Sequence, residues 1–105
     1  MKFEVRLTAT AEQDIKQTYS YIAEHGPADP DSWKSDLEQK LASLESFPHR
    51  CSIAPENNHV DVTIRQAVFV NFRILFSVDE QIVNVLAVRH GARLPLSQQE
   101  INERT

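Results

Sequence analysis

From Val70 to Val78 every second residue is apolar: Val70, Phe72, Ile74, Phe76 and Val78 alternate with Asn71, Arg73, Leu75 and Ser77. A period of two marks a strand with one face against a core. A polar tip, Asp79-Glu80-Gln81, follows. The next run, Ile82–Val88, is apolar on both faces, which predicts a central strand covered from two sides. Upstream, Val62, Ile64, Gln66 and Val68 share one face, and Thr63, Arg65 and Ala67 the other. These runs predict a small, mostly antiparallel sheet in the C-terminal half.

The N-terminal half has a different period. Lys2–Leu7 alternates once, with Phe3, Val5 and Leu7 on one face, and predicts a short strand. Thr10-Ala11-Glu12-Gln13 fits a capping box that opens a helix. Ala11, Ile15, Tyr19 and Ile22 then fall on one helical face, ending at Gly26-Pro27. Asp29-Pro30 predicts a second helix start, an N-cap followed by proline at the first helical position. Trp33, Leu37, Leu41 and Leu44 form its stripe, and it stops by Phe47-Pro48. Residues 48–60, with Pro48, Pro55, Asn57 and Asn58, read as an irregular connection. Ser97–Glu103 reads as a short terminal helix or a frayed end. The predicted order is β-α-α-β-β-β, an α+β fold with a helical hairpin on one face of a small twisted sheet.

With 105 residues there is room for one core, so residues 1–105 are expected to form one domain. Ala67–Val78, the longest apolar run, is broken by Asn71, Arg73 and Ser77, so no membrane span is expected. A lone cysteine, Cys51, excludes an internal disulfide framework and suits a reducing cytoplasm. Net charge is −4, with the excess acid in the first half. Between residues 62 and 93 the balance reverses: Arg65, Arg73, Arg89 and Arg93 face only Asp79 and Glu80. An anion-binding site, if present, is expected there.

Several chemistries are testable against single motifs. Arg89-His90-Gly91-Ala92-Arg93-Leu94-Pro95 resembles the RHGxRxP signature of histidine acid phosphatases. That chemistry needs a second, downstream histidine and a large α/β domain, and no histidine follows Arg93. The phosphatase reading is therefore rejected. His49, Cys51 and His59 lie in one loop region, but no CxxC or HxxxH spacing accompanies them, so no metal is expected. No GxSxG elbow is present, and two glycines cannot build a phosphate loop. No cofactor is expected. Arg73 remains, a guanidinium in the middle of an apolar strand. Alone it suits an ion pair; with Arg65, Arg89 and Arg93 converging it suits an anion site. Gly91 is expected to act as a hinge that aims Arg93 back over the sheet.

Two consecutive segments carry a wider resemblance. Val68–Asp79 gives an aromatic-Arg-aliphatic-x-aromatic strand, and Val83–Arg93 an apolar strand ending in His90-Gly91-Ala92-Arg93. With the preceding strand and hairpin (Ala11, Asp14-Ile15, Tyr21-Ile22), nearly the whole chain resembles the RelE/ParE superfamily. These are toxins of type II toxin–antitoxin systems, also called plasmid stabilisation proteins. The resemblance implies a toxin neutralised by a cognate antitoxin whose acidic or amphipathic tail wraps the hairpin and sheet edge. In the RNase branch, a ribosome-dependent mRNA endoribonuclease, Arg73 matches the arginine at the scissile phosphate. Arg93 matches the arginine that stabilises transition-state charge, and Arg65 lies near an upstream basic position. Arg89 and His90 are secondary candidates. This chain departs from that branch: Leu94–Thr105 has no tyrosine or histidine, and the upstream lysine cluster is missing. The departures favour the ParE-like branch, which inhibits DNA gyrase by protein contact. A non-toxic binding module is the remaining alternative.

Overall fold

The computed structural model describes residues 2–26, 28–56 and 63–104. The sequence readings at Pro27, Asn57, Asn58, His59 and Val62 lie outside the described residues. The elements run β1 (Glu4–Leu7), α1 (Ala9–His25), α2 (Pro30–Ser43), β2 (Ser52–Ile53), β3 (Arg65–Phe69), β4 (Phe72–Asp79), β5 (Ile82–His90) and α3 (Gln98–Arg104). The sheet order is β1-β5-β4-β3-β2. β1 pairs with β5 in parallel, Glu4 opposite Ile82, and every other pairing is antiparallel. The predicted α+β architecture is present, with two additions. The connection read as irregular contains a 3₁₀ turn, Pro48–Arg50, and the two-residue strand β2. The C-terminal segment is helical at α3.

α1 starts two residues earlier than the capping-box pattern suggests. Thr8, extended at ψ 161°, is the N-cap, and its Oγ1 accepts from the Ala11 amide at 3.2 Å. The same hydroxyl donates to the Val85 carbonyl of β5 at 2.9 Å. Thr10 hydrogen-bonds the Leu86 carbonyl at 3.3 Å instead of capping. Tertiary bonding to β5 therefore decides which threonine caps. α2 begins as the sequence implies. Asp29 accepts from the Asp31 amide and the Ser32 hydroxyl, and Pro30 takes the first turn.

Both faces of the sheet are covered. On one, Trp33 and Leu37 of α2 and Ala11 of α1 pack with Leu44 against Phe69, Ile74, Phe76, Val83, Val85 and Val88. Trp33 meets Phe72 edge-on at 5.4 Å. On the other, Leu96 and Ile101 of the C-terminal segment join Ala54, Ile64, Leu75, Leu86 and Ala87. Leu86 and Ala87 are consecutive yet share a face. The cause is a β-bulge: Leu75 pairs with Ala87 but Phe76 with Val85, leaving Leu86 extra. The bulge inverts the alternation beyond it, so Val88 and His90 face the hairpin and Arg89 stands opposite Arg73.

β3 and β4 are joined by Val70-Asn71, where the sequence shows an unbroken alternation. Val70 has φ 50°, a turn value that its β-branched side chain disguises. Thr8→Ala should lower unfolding free energy by about 1–2 kcal/mol in urea denaturation, from the lost cap and the lost bond to Val85. Thr10→Ala should cost less than half of that; equal costs would contradict the assigned cap.

Candidate functional site

Arg73 and Arg89 are cross-strand neighbours on the face away from the helical hairpin. Like charges in direct opposition repel, so at least one needs a counter-charge. Arg73 has it. The residue is 8% exposed, and its guanidinium meets Glu56, 0% exposed, through two parallel bonds: Nη1 to Oε1 at 3.1 Å and Nη2 to Oε2 at 2.9 Å. Nη1 also donates to Gln66 Oε1 at 3.0 Å. Glu56 Oε2 accepts a further bond from the Leu96 amide at 3.0 Å, which ties the C-terminal segment to the pair. Burial alone would push the Glu56 carboxyl up. The bonds from Arg73 and the Leu96 amide, with the Arg73 charge, outweigh burial and hold it below the usual glutamate range.

Glu56 carries no sequence motif. The one signal for it is indirect: a guanidinium amid Phe72, Ile74 and Phe76 requires a carboxylate, and the sequence does not say which.

The other candidates separate. Arg65 donates to the Cys51 carbonyl at 2.8 Å and braces β3 against the loop before β2. Arg89 donates to the Leu94 carbonyl at 2.7 Å, and its buried Nε has no hydrogen-bond partner among the described residues. Burial, then the neighbouring charge of Arg93, pulls the Arg89 pKa down; Glu100 opposes this, and Arg73 and Arg104 add to it. Arg89 thus feels the charges of both Arg73, its cross-strand neighbour, and Arg93. His90 Nδ1 accepts from the Ala92 amide at 3.0 Å, and its ring meets Phe72 edge-on at 5.2 Å. Gly91 does not have a positive φ. Its role is close approach: its amide donates to the Asn71 carbonyl at 2.7 Å, and a Cβ would sit 3.1 Å from that oxygen.

Arg93 is exposed and makes no ion pair among the described residues. It lines a groove of about 520 Å³ between α1 and the end of β5. Asp14, Thr18 and Tyr21 form one wall, and Phe72, Val88 and His90 the floor. Asp14 is a junction: its carboxylate accepts from the Val88 amide at 3.1 Å and pairs with Arg104 at 2.8 Å. Arg73 does not line this groove; its guanidinium is turned to Glu56. The described residues contain no cluster of metal-ligating side chains and no helix long and apolar enough to cross a membrane.

Residues 5–95 match the family model for the ParE toxin of the type II toxin–antitoxin system parDE. The chain belongs to the ParE toxin family. Among solved structures, this ParE-family chain is similar to one from the chromosomal ParDE system of P. aeruginosa. Identity is 17%, coverage is 85% of this chain and 96% of that one, and the TM-score is 0.67. It is also similar to a chain of the RelBE2 toxin–antitoxin complex of Mycobacterium tuberculosis, with 21% identity, 86% and 99% coverage, and a TM-score of 0.60. A search of curated protein sequences finds no match. The RelE/ParE superfamily resemblance is thereby established, and the chain is a type II toxin by family.

Glu56→Ala leaves a buried guanidinium without its counter-charge and should destabilise by about 3–5 kcal/mol in urea. Because the Glu56 carboxyl is held low in the fold, its contribution is full above the unfolded glutamate pKa of about 4.3 and fades as pH falls through the folded value. The acid limb of stability against pH should therefore be flatter in Glu56→Gln than in the wild type. Parallel limbs would show that the pair is not linked to folding.

Proposed function

We propose that this ParE-family toxin is held inactive by a cognate antitoxin and acts by protein contact on DNA gyrase. The observation that carries the target is the Arg73–Glu56 pair. Phosphoryl chemistry on the sheet face needs a guanidinium free to follow charge onto the scissile phosphate. Arg73 is instead bonded at both terminal nitrogens and lies beneath the segment that carries Leu96. Acid/base groups are short there as well, since the tail offers neither histidine nor tyrosine. An overall charge of −4 is a further argument against holding messenger RNA, where affinity comes from many cationic contacts.

The antitoxin follows from the family, and both solved relatives come from toxin–antitoxin systems. The exposed groove beside α1, with Tyr21 and Arg93 at its rim, has the mixed apolar and basic character that suits an acidic amphipathic segment, and an antitoxin seated there would cover the Arg93 that meets the target. Within this reading Arg93 is the contact residue of the predicted set, and Arg73 and Arg65 hold the framework.

Induced expression without antitoxin should arrest bacterial growth. Purified toxin should inhibit supercoiling by gyrase and leave ribosome-bound mRNA uncut. Arg93→Ala should weaken inhibition by roughly tenfold, the loss of one good charged contact, with little change in melting temperature. Cleavage of mRNA in a translation-coupled assay, with gyrase unaffected, would reverse the assignment.

A further inference from the structure

Val70, first residue of the β3–β4 turn, stands at φ 50°. Glycine reaches this region freely and asparagine with little cost; for a β-branched residue it is an outlier. Two-residue hairpin turns take Gly, Asn or Asp at such positions. The fold gains nothing visible from valine here. The residue is 67% exposed and belongs to neither core. Backbone strain of this kind concentrates where a surface has work to do.

The neighbourhood of Val70 gives that surface a chemical character. A shallow hollow beside it is lined by Val68, Phe72, Gly91 and Ala92, and it shares Phe72 and His90 with the α1 groove. One continuous surface therefore crosses the end of the sheet from Tyr21 to Val70. Tyr21, Val68 and Val70 are its large exposed apolar side chains. Its charge is one-sided. Glu56 is engaged by Arg73 and Asp14 by Arg104, whereas Arg93 has no ion pair among the described residues. Arg89 likewise has no ion pair among the described residues, so two unpaired guanidiniums stand here against the Glu100 carboxylate. In a chain of net charge −4 this is a local positive surplus.

We propose that this sheet end is the target-contact surface, and that it fits a protein face presenting carboxylates around an apolar socket. Val70 and Val68 enter the socket, and Arg93 meets the carboxylates. The strained turn holds Val70 out at the tip, where a relaxed Gly turn would present no side chain. A nucleic-acid backbone would use the guanidiniums but has no counterpart for exposed valines. The inference rests on the gyrase reading and assigns its contact residues.

The test uses intact gyrase and the full-length toxin, with supercoiling inhibition, direct binding and melting temperature measured for each variant. Val70→Gly relieves the turn and should melt within about 3 °C of the wild type or above it. It should nonetheless need at least about tenfold more protein for half-inhibition, as expected for loss of an anchoring contact. Arg93→Glu, at an exposed position, should lose as much without loss of fold, and it serves alone if Val70→Gly proves unstable. Stable variants that inhibit as well as the wild type would overturn the surface and leave the gyrase reading standing. Wild-type toxin that neither binds nor inhibits gyrase, or binds single-stranded RNA in preference, would remove this occupant and the gyrase reading together.

Discussion

Strand β5 carries apolar side chains on both faces, and neither can be left to water. Val83, Val85 and Val88 are met by the helical hairpin, and Leu86 and Ala87 by Leu96, Ile101 and their neighbours. At about 25 cal/mol per Å² of apolar surface, each covered face contributes stabilisation that one layer alone could not supply. The rest of the arrangement follows. β1 fills the outer edge of β5, β4 the inner one, and the C-terminal segment must return across the sheet to close its second side. Ser97 and Glu100 help it do so by capping α3 reciprocally, each side chain accepting from the other's amide. Arg104 then fastens the helix to Asp14 of α1.

Closing that second face also decides what the arginines can do. A guanidinium beneath the returning segment has to be neutralised, and Glu56 does this while binding the segment's own backbone at Leu96. Arg73 is therefore part of what keeps the cover in place. The bulge at Leu86 adds a second consequence, because it turns Arg89 toward Arg73 and leaves His90 on the hairpin side. Positive charge consequently collects at one end of the sheet, beside the β5 exit, where Arg93 is exposed and has no ion pair among the described residues. The sheet face itself is closed.

Much of this fold is legible in the sequence because hydrophobic periodicity is a local signal. The α1 and α2 stripes, the Asp29-Pro30 start, the Glu80-Gln81 turn and the two-sided burial of β5 were all readable from spacing. What escaped was set by distant contacts or by backbone values that composition hides. Thr8 outcompetes Thr10 as a cap because Val85 lies within reach of its hydroxyl. The β3–β4 turn passes for strand because Val70 is a strand residue by type. Leu86 falls in a bulge with no glycine to announce it. At the candidate site the arginines were visible and their geometry was not. Four basic residues in a row of strands suggested convergence, but their partners, Glu56 above all, sit in segments with no periodicity to read.

The parallel pairing of β1 with β5 has a temporal side. Thr8 bonds to Val85, 77 positions later, so the first strand has nothing to pair with until most of the chain exists. Long-range closure of this sort is slow to form and late in synthesis. A nascent chain emerging from the ribosome would therefore expose β1 and the hairpin well before the end of β5 and Arg93 are in position. The edge strand β1 is thus first in the chain and among the last elements to be paired.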